Sequence, residues 1–189
     1  MSLRILLTMF FCLMATIAAA GSVDIGFNDE SFQIGYEHPL TPDNYGTAVA
    51  NGRFLYNGDE ETRLGSLGLD FIGNPGNVPG LGLGVGTKFY AGSTDPDTDF
   101  VNLAIGLRGS YILPQLRGFG VAGHLYYAPK VFSFQDSERL LESQVRLTYA
   151  VLPKAKLFVG YQNIRLDIDN RNDSRAIDNA VRIGFVGSF

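Results

Sequence analysis

The sequence predicts an all-β protein, a transmembrane antiparallel up-and-down β-barrel of about ten strands. Three observations carry that prediction. Apolar and polar residues alternate with period two along nearly the whole chain, in runs of about 10 residues, the length a tilted strand needs to cross a bilayer. The polar face of those runs is rich in Gly and Ala with few charges, as a crowded lumen requires; a sheet face in water would carry more Lys, Glu and Thr. The connections alternate between short Pro/Gly-marked turns and polar, acidic loops, the asymmetry of outer-membrane barrels.

Composition agrees. The 189 residues are 46% hydrophobic and 18% charged, with a formal net charge of -4. This is too apolar for a disordered acidic chain and lacks the basic surplus of a nucleic-acid binder. Glycine, at 23 residues, is well above the usual share of ~7%. A single cysteine excludes a disulfide framework and multi-cysteine metal sites. No cofactor is expected.

Residues 1–20 read as a signal peptide and residues 21–189 as the barrel. Arg4 forms the positive n-region, 5–17 an uncharged apolar h-region too short to span comfortably, and Ala18-Ala19-Ala20 a small-residue cleavage site. Cys12 lies inside the h-region, which is the wrong place for a lipidated cysteine.

Ten strands follow, near 22–28, 31–38, 47–57, 63–73, 81–91, 100–111, 118–128, 141–151, 156–166 and 176–189. The first two are short, so eight strands preceded by a hairpin is the alternative. Leu67, Leu69 and Phe71 set the outward parity of the fourth strand; Leu83, Val85 and Phe89 do so for the fifth, Leu103, Ile105 and Leu107 for the sixth, and Val145, Leu147 and Tyr149 for the eighth. Turns at Pro75, Pro114 and Pro153 are expected on the periplasmic side, and the acidic connections 57–63, 92–99, 129–140 and 167–175 outside. Tyr56, Phe71, Phe89, Tyr90, Phe100, Tyr111, Phe119, Tyr127 and Tyr149 lie at strand ends, where interfacial girdles form. Phe189, with Phe185, Ile183 and Val181 on one face, resembles the C-terminal signal by which the barrel-insertion machinery recognises such chains. A charge at outward Leu103, Ile105 or Leu147 should harm insertion more than one at inward Ala104.

The C-terminal third resembles a known family. Tyr126-Tyr127-Ala128-Pro129, Gly160-Tyr161-Gln162-Asn163-Ile164, Asp178-Asn179-Ala180-Val181 and the ending Gly184 with Ser188-Phe189 are similar to segments of the YfaZ family of Gram-negative outer-membrane proteins. The resemblance implies a β-barrel in the cell outer membrane and carries no catalytic residue.

Parity turns eight titratable side chains inward: Arg53, Asp70, Lys88, Arg108, His124, Glu142, Arg146 and Arg182. Five fixed positive charges then face two negative ones, which predicts a positive lumen and anion preference if the barrel conducts. Ten strands leave an interior that side chains nearly fill, so a wide pore is not expected. The glycines of 80–86 lie within an alternating strand with no helix after them, which excludes a phosphate loop and suggests close packing across the lumen. The stretch Asp167–Asp173 lacks the glycine and distal glutamate of a calcium loop. His124 lies near Glu142 and Ser143, but those two face opposite sides of a regular strand, and Tyr126 stands where a nucleophile two residues on would be needed. The expectation is a non-enzymatic narrow channel or structural barrel, in contact with outer-membrane lipid and lipopolysaccharide and with no nucleic acid. A barrel enzyme acting on lipid or protein, or a surface adhesion or lipopolysaccharide-contact protein presenting Phe132 and Phe134, is the alternative.

Overall fold

The computed structural model describes residues 21–43, 45–76, 78–94, 98–116, 118–135, 137–168 and 174–189. The expected signal peptide lies outside the described residues, as do 169–173 of the acidic stretch after Asp167. The strands are β1 (Ser22–Phe27), β2 (Ser31–Asp43), β3 (Gly46–Asn57), β4 (Thr62–Gly73), β5 (Leu81–Thr94), β6 (Thr98–Ile112), β7 (Phe119–Ala128), β8 (Ser133–Gln135), β9 (Ser137–Leu152), β10 (Ala155–Ile168) and β11 (Ser174–Ser188). All except β8 form a closed ring of ten antiparallel strands, each paired with its neighbours in the chain. The ring closes where Ser22 of β1 faces Ser188 of β11. Closure leaves no unpaired edge, the condition for a sheet in hydrocarbon. Because β1 pairs with both β2 and β11, the first hairpin is part of the wall, and the eight-strand alternative is excluded.

Both termini and the turns around Pro75, Pro114 and Pro153 share one end, called here the terminal end; the acidic connections share the other, the loop end. Strands run farther than the alternation suggested. β2 extends to Asp43, its register breaking between Pro39 and Pro42, residues with no N–H for the ladder. At the loop end β5, β6, β9 and β10 reach into segments expected to be loops, and the longest link there is the stretch between β7 and β9. That stretch is itself ordered. β7 stops at Ala128, leaving the start of β6 unpaired on that side; a 3-10 turn at Lys130–Phe132 brings β8 back against Phe100–Asn102 to cover the edge.

The outer wall is an apolar belt. Leu67, Val85, Ile105, Leu107, Val145, Leu147 and Val181 all stand exposed on it. Phe71, Phe89, Phe119, Tyr127 and Tyr149 rim it. Two of the expected girdle residues do not belong there. Tyr90 and Phe100 are fully buried inside the barrel, because each follows an outward neighbour by one residue and so takes the opposite face. Val181, Ile183, Phe185 and Phe189 all face outward.

The interior is close-packed, and two glycines show how. A Cβ on Gly86 would sit 1.9 Å from Asp70 Oδ1, and one on Gly106 2.2 Å from Tyr126 Cδ1. The lumen side chains of β4 and β7 lie directly over the neighbouring strand's backbone, which only Gly permits.

Candidate functional site

The inward side chains divide the lumen into two halves. Toward the loop end Leu55, Leu64, Tyr90, Phe100, Ala104, Tyr126, Ala128, Leu140, Ile164, Leu166 and Ile177 form one buried cluster, drawn from eight of the ten ring strands. Ile177 reaches it through a bulge: the β10–β11 register skips Ile177 between Asp178 and Ala176, so Ile177 and Asp178 both turn inward. Above the cluster, polar side chains tie strand tops together. Thr62 Oγ1 donates to Thr94 Oγ1 (2.8 Å), Ser137 Oγ to Asn102 Oδ1 (2.8 Å) and Asn57 Nδ2 to the Ile177 carbonyl (3.2 Å). Toward the terminal end lies a cavity of about 310 Å³, bounded at its mouth by Ser22, Ser110, Thr148 and Ser188. The lumen is therefore a blind vestibule with an apolar floor.

A layer of ion pairs separates the two halves. Glu142 is its hub. Its Oε1 accepts from Arg53 Nη1 (2.5 Å) and His124 Nε2 (2.6 Å), its Oε2 from Arg53 Nη2 (2.9 Å) and the Tyr90 hydroxyl. Asp70 is a second centre, taking Arg108 Nη1 (2.8 Å), Asn51 Nδ2 (2.8 Å) and the Tyr126 hydroxyl (2.5 Å). Arg108 Nη2 also donates to Glu37 Oε1 at 2.8 Å. Asp178 holds Arg182 through two bonds (2.6 and 2.9 Å) and accepts from Gln162 Nε2 at 2.9 Å. Arg146 pairs with Asp24 and lies 4.4 Å over the Phe158 ring.

All eight titratable residues singled out by parity face the lumen. Arg53, Lys88, His124 and Glu142 meet in one cluster; Asp70 and Arg108 meet in another; Arg146 and Arg182 stand apart, each with its own acid. The charge imbalance expected from sequence is absent. Asp24, Glu37 and Asp178 also point inward, so Arg53, Lys88, Arg108, Arg146 and Arg182 meet five acids rather than two. The same parity rule identifies all three: Asp24 lies between outward Val23 and Ile25, Glu37 is in phase with Gln33, and Asp178 is in phase with Arg182. Ala104 lies in the apolar floor with no exposure, so a charge there would be buried without a partner, and the expected mildness of that substitution does not hold. Ser143 pairs across to Leu125 and Asn163 and takes the face opposite to Glu142 and His124.

The family model for YfaZ precursor matches residues 2–189. The chain belongs to the YfaZ family. Members of this family are outer-membrane proteins, and the outer membrane is where this barrel resides. No curated protein matches the sequence significantly. Among solved structures, the chain is similar to the outer membrane protease OmpT of Escherichia coli, with 14% identity, a TM-score of 0.49, and 90% of this chain and 93% of that one covered. It is similar to the KdgM porin at 11% identity and a TM-score of 0.44, over 90% of this chain and 99% of that one. It is similar to the outer membrane channel DcaP of Acinetobacter baumannii at 14% identity and a TM-score of 0.47, over 88% of this chain and 54% of that one. At this distance these proteins carry nothing over to the YfaZ chain about substrate or activity.

Proposed function

We propose that this YfaZ barrel is a closed structural element of the outer membrane whose lumen opens only to the periplasm. The observation that carries the reading is the apolar floor: side chains from eight strands, with no more than 1% exposure each, fill the loop-end half. A hydrated ion crossing it would have to shed its water against a tightly filled, mostly apolar layer. Balanced ion pairs below the floor remove the basis for an anion-preferring passage. The separation of Ser143 from His124 and Glu142 supports a non-enzymatic role. The terminal end is assigned to the periplasm because its turns are the short, Pro-marked ones. Short, tied connections at the loop end argue against an adhesin with extended loops. Planar-bilayer recording of the refolded chain tests the proposal. The expected result is no steady conductance in the wild type and its appearance when Leu55, Leu140 and Ile164 are all changed to Ala. A stable ohmic conductance in the wild type would overturn it.

A further inference from the structure

Among the described residues, Lys88 is the one basic residue of the ion-pair layer that makes no hydrogen bond to its acid. Its side chain is only 8% exposed, and its nearest carboxylate oxygen, Glu142 Oε2, is 3.8 Å away, within ion-pair range but beyond hydrogen-bond reach. Glu142 has no lone pair left for it, since the carboxylate's roughly four acceptor sites are taken by Arg53 twice, His124 and Tyr90. The other neighbouring acid, Asp70, is engaged by Arg108, Asn51 and Tyr126. Lys88 Nζ instead lies over the face of Tyr126, 4.0 Å from the ring centroid, and lines the blind cavity. Among the described residues it donates no hydrogen bond. Gln33 and Arg146 line the same cavity. A buried ammonium normally has hydrogen-bond acceptors, so one that faces a cavity without them is placed to receive an acceptor from outside.

We propose that the cavity is a binding site for a small oxyanion, a carboxylate or phosphate carried on a molecule small enough for about 310 Å³, entering from the terminal end with its anionic oxygens on Lys88 Nζ. The ring of Tyr126 holds the ammonium from the side opposite the ligand. Hydroxyls of Ser22, Ser110, Thr148 and Ser188 make a polar entry that does not repel such a molecule.

The test is binding to the refolded chain in detergent micelles, read separately from conductance, so that it can fail while the closed-barrel reading stands, and the reverse. Inorganic phosphate and acetate are titrated at constant ionic strength, set with potassium chloride. Saturable binding by calorimetry is expected for one or both, the stronger probe identifying the headgroup chemistry. Lys88→Met should weaken that binding at least tenfold, while Lys154→Met, outside the cavity lining, should change it less than twofold. In parallel, reductive methylation of the wild-type chain is followed by mass spectrometry. Saturating phosphate or acetate should slow modification of Lys88 and leave that of Lys154 unchanged, which tests the site even if Lys88→Met does not fold. No saturable binding of either anion, or binding that neither depends on Lys88 nor protects it, would overturn the proposal.

Discussion

Replacing Glu142 with Ala should be the most damaging single change inside the barrel. The carboxylate is fully buried and holds Arg53 through two bonds, with His124 and the Tyr90 hydroxyl on its remaining lone pairs. Without it Arg53 and Lys88, with side chains only 9% and 8% exposed, face each other with their common counter-charge gone. Arg53 keeps one long bond, 3.4 Å to Gln162 Oε1. Removing one partner of a buried ion pair costs about 3–5 kcal/mol. With a urea m-value of about 2 kcal/mol/M, the unfolding midpoint should fall by about 1.5–2.5 M. The assay is urea unfolding in micelles, read as loss of the folded, heat-modifiable band. A control follows from the same physics: replacing a whole buried pair by apolar groups is close to neutral. Glu142→Leu combined with Arg53→Met and Lys88→Met, which removes all three fixed charges, should therefore recover much of the loss. A Glu142→Ala midpoint within about 0.25 M of wild type, or a triple variant no better than the single one, would refute the reasoning.

Three further outcomes are expected. Ile105→Arg, on the lipid face, should cost about 2–4 kcal/mol and reduce the membrane-inserted fraction, while Ser110→Arg, inward and exposed at the open end, should insert like wild type; equal effects would contradict the assigned faces. Gly106→Ala should destabilise by about 1–3 kcal/mol in the same urea assay, because its Cβ would meet Tyr126 Cδ1 at 2.2 Å and the Leu125 carbonyl at 2.5 Å; an unchanged midpoint would show that β7 can move away. Protease added to intact cells should cut the stretch between β7 and β9 and spare the turns at Pro114 and Pro153, and the opposite pattern would invert the barrel.

The wall of this barrel was legible because each residue's side is a local property. Leu67, Leu69 and Phe71 alternate with Ser66, Gly68 and Asp70, and period two alone sends the first set to lipid and the second inward. The ring's size followed from counting such runs. Its boundaries did not, since a strand end depends on whether a neighbour is there to pair with. β2 reaches Asp43 because β3 begins at Gly46, and β8 exists because β7 ends before β6 has a partner along its whole length. Of the contacts of the lumen, only His124 beside Glu142, on neighbouring strands, was legible. Arg53 and Glu142 are 89 residues apart, Arg146 and Asp24 122, and Arg182 and Ser31 151. Parity says that such residues share an interior, but which of them meet depends on strand stagger around the ring.

The apolar floor did leave a mark in the sequence, in the places where alternation fails. Phe54-Leu55-Tyr56, Phe89-Tyr90, Tyr126-Tyr127 and Leu140-Leu141 put large apolar or aromatic residues next to one another, so both faces of those strands are bulky. On a wall whose outer face must stay apolar throughout, an apolar residue out of phase has only the lumen to go to. Leu55, Tyr90, Tyr126 and Leu140 are these out-of-phase residues, and each is at most 1% exposed. Nearer the terminal end the inward positions are small or polar, as with Gly82, Ser110, Ala122 and Thr148, and alternation is clean. A clean period therefore marks the wet half of the lumen and a broken one the dry half. The charged layer sits where one gives way to the other: at the edge of the apolar floor a carboxylate such as Glu142 must have all its lone pairs taken, and Lys88, paired with it by charge but not by a hydrogen bond, lines the cavity.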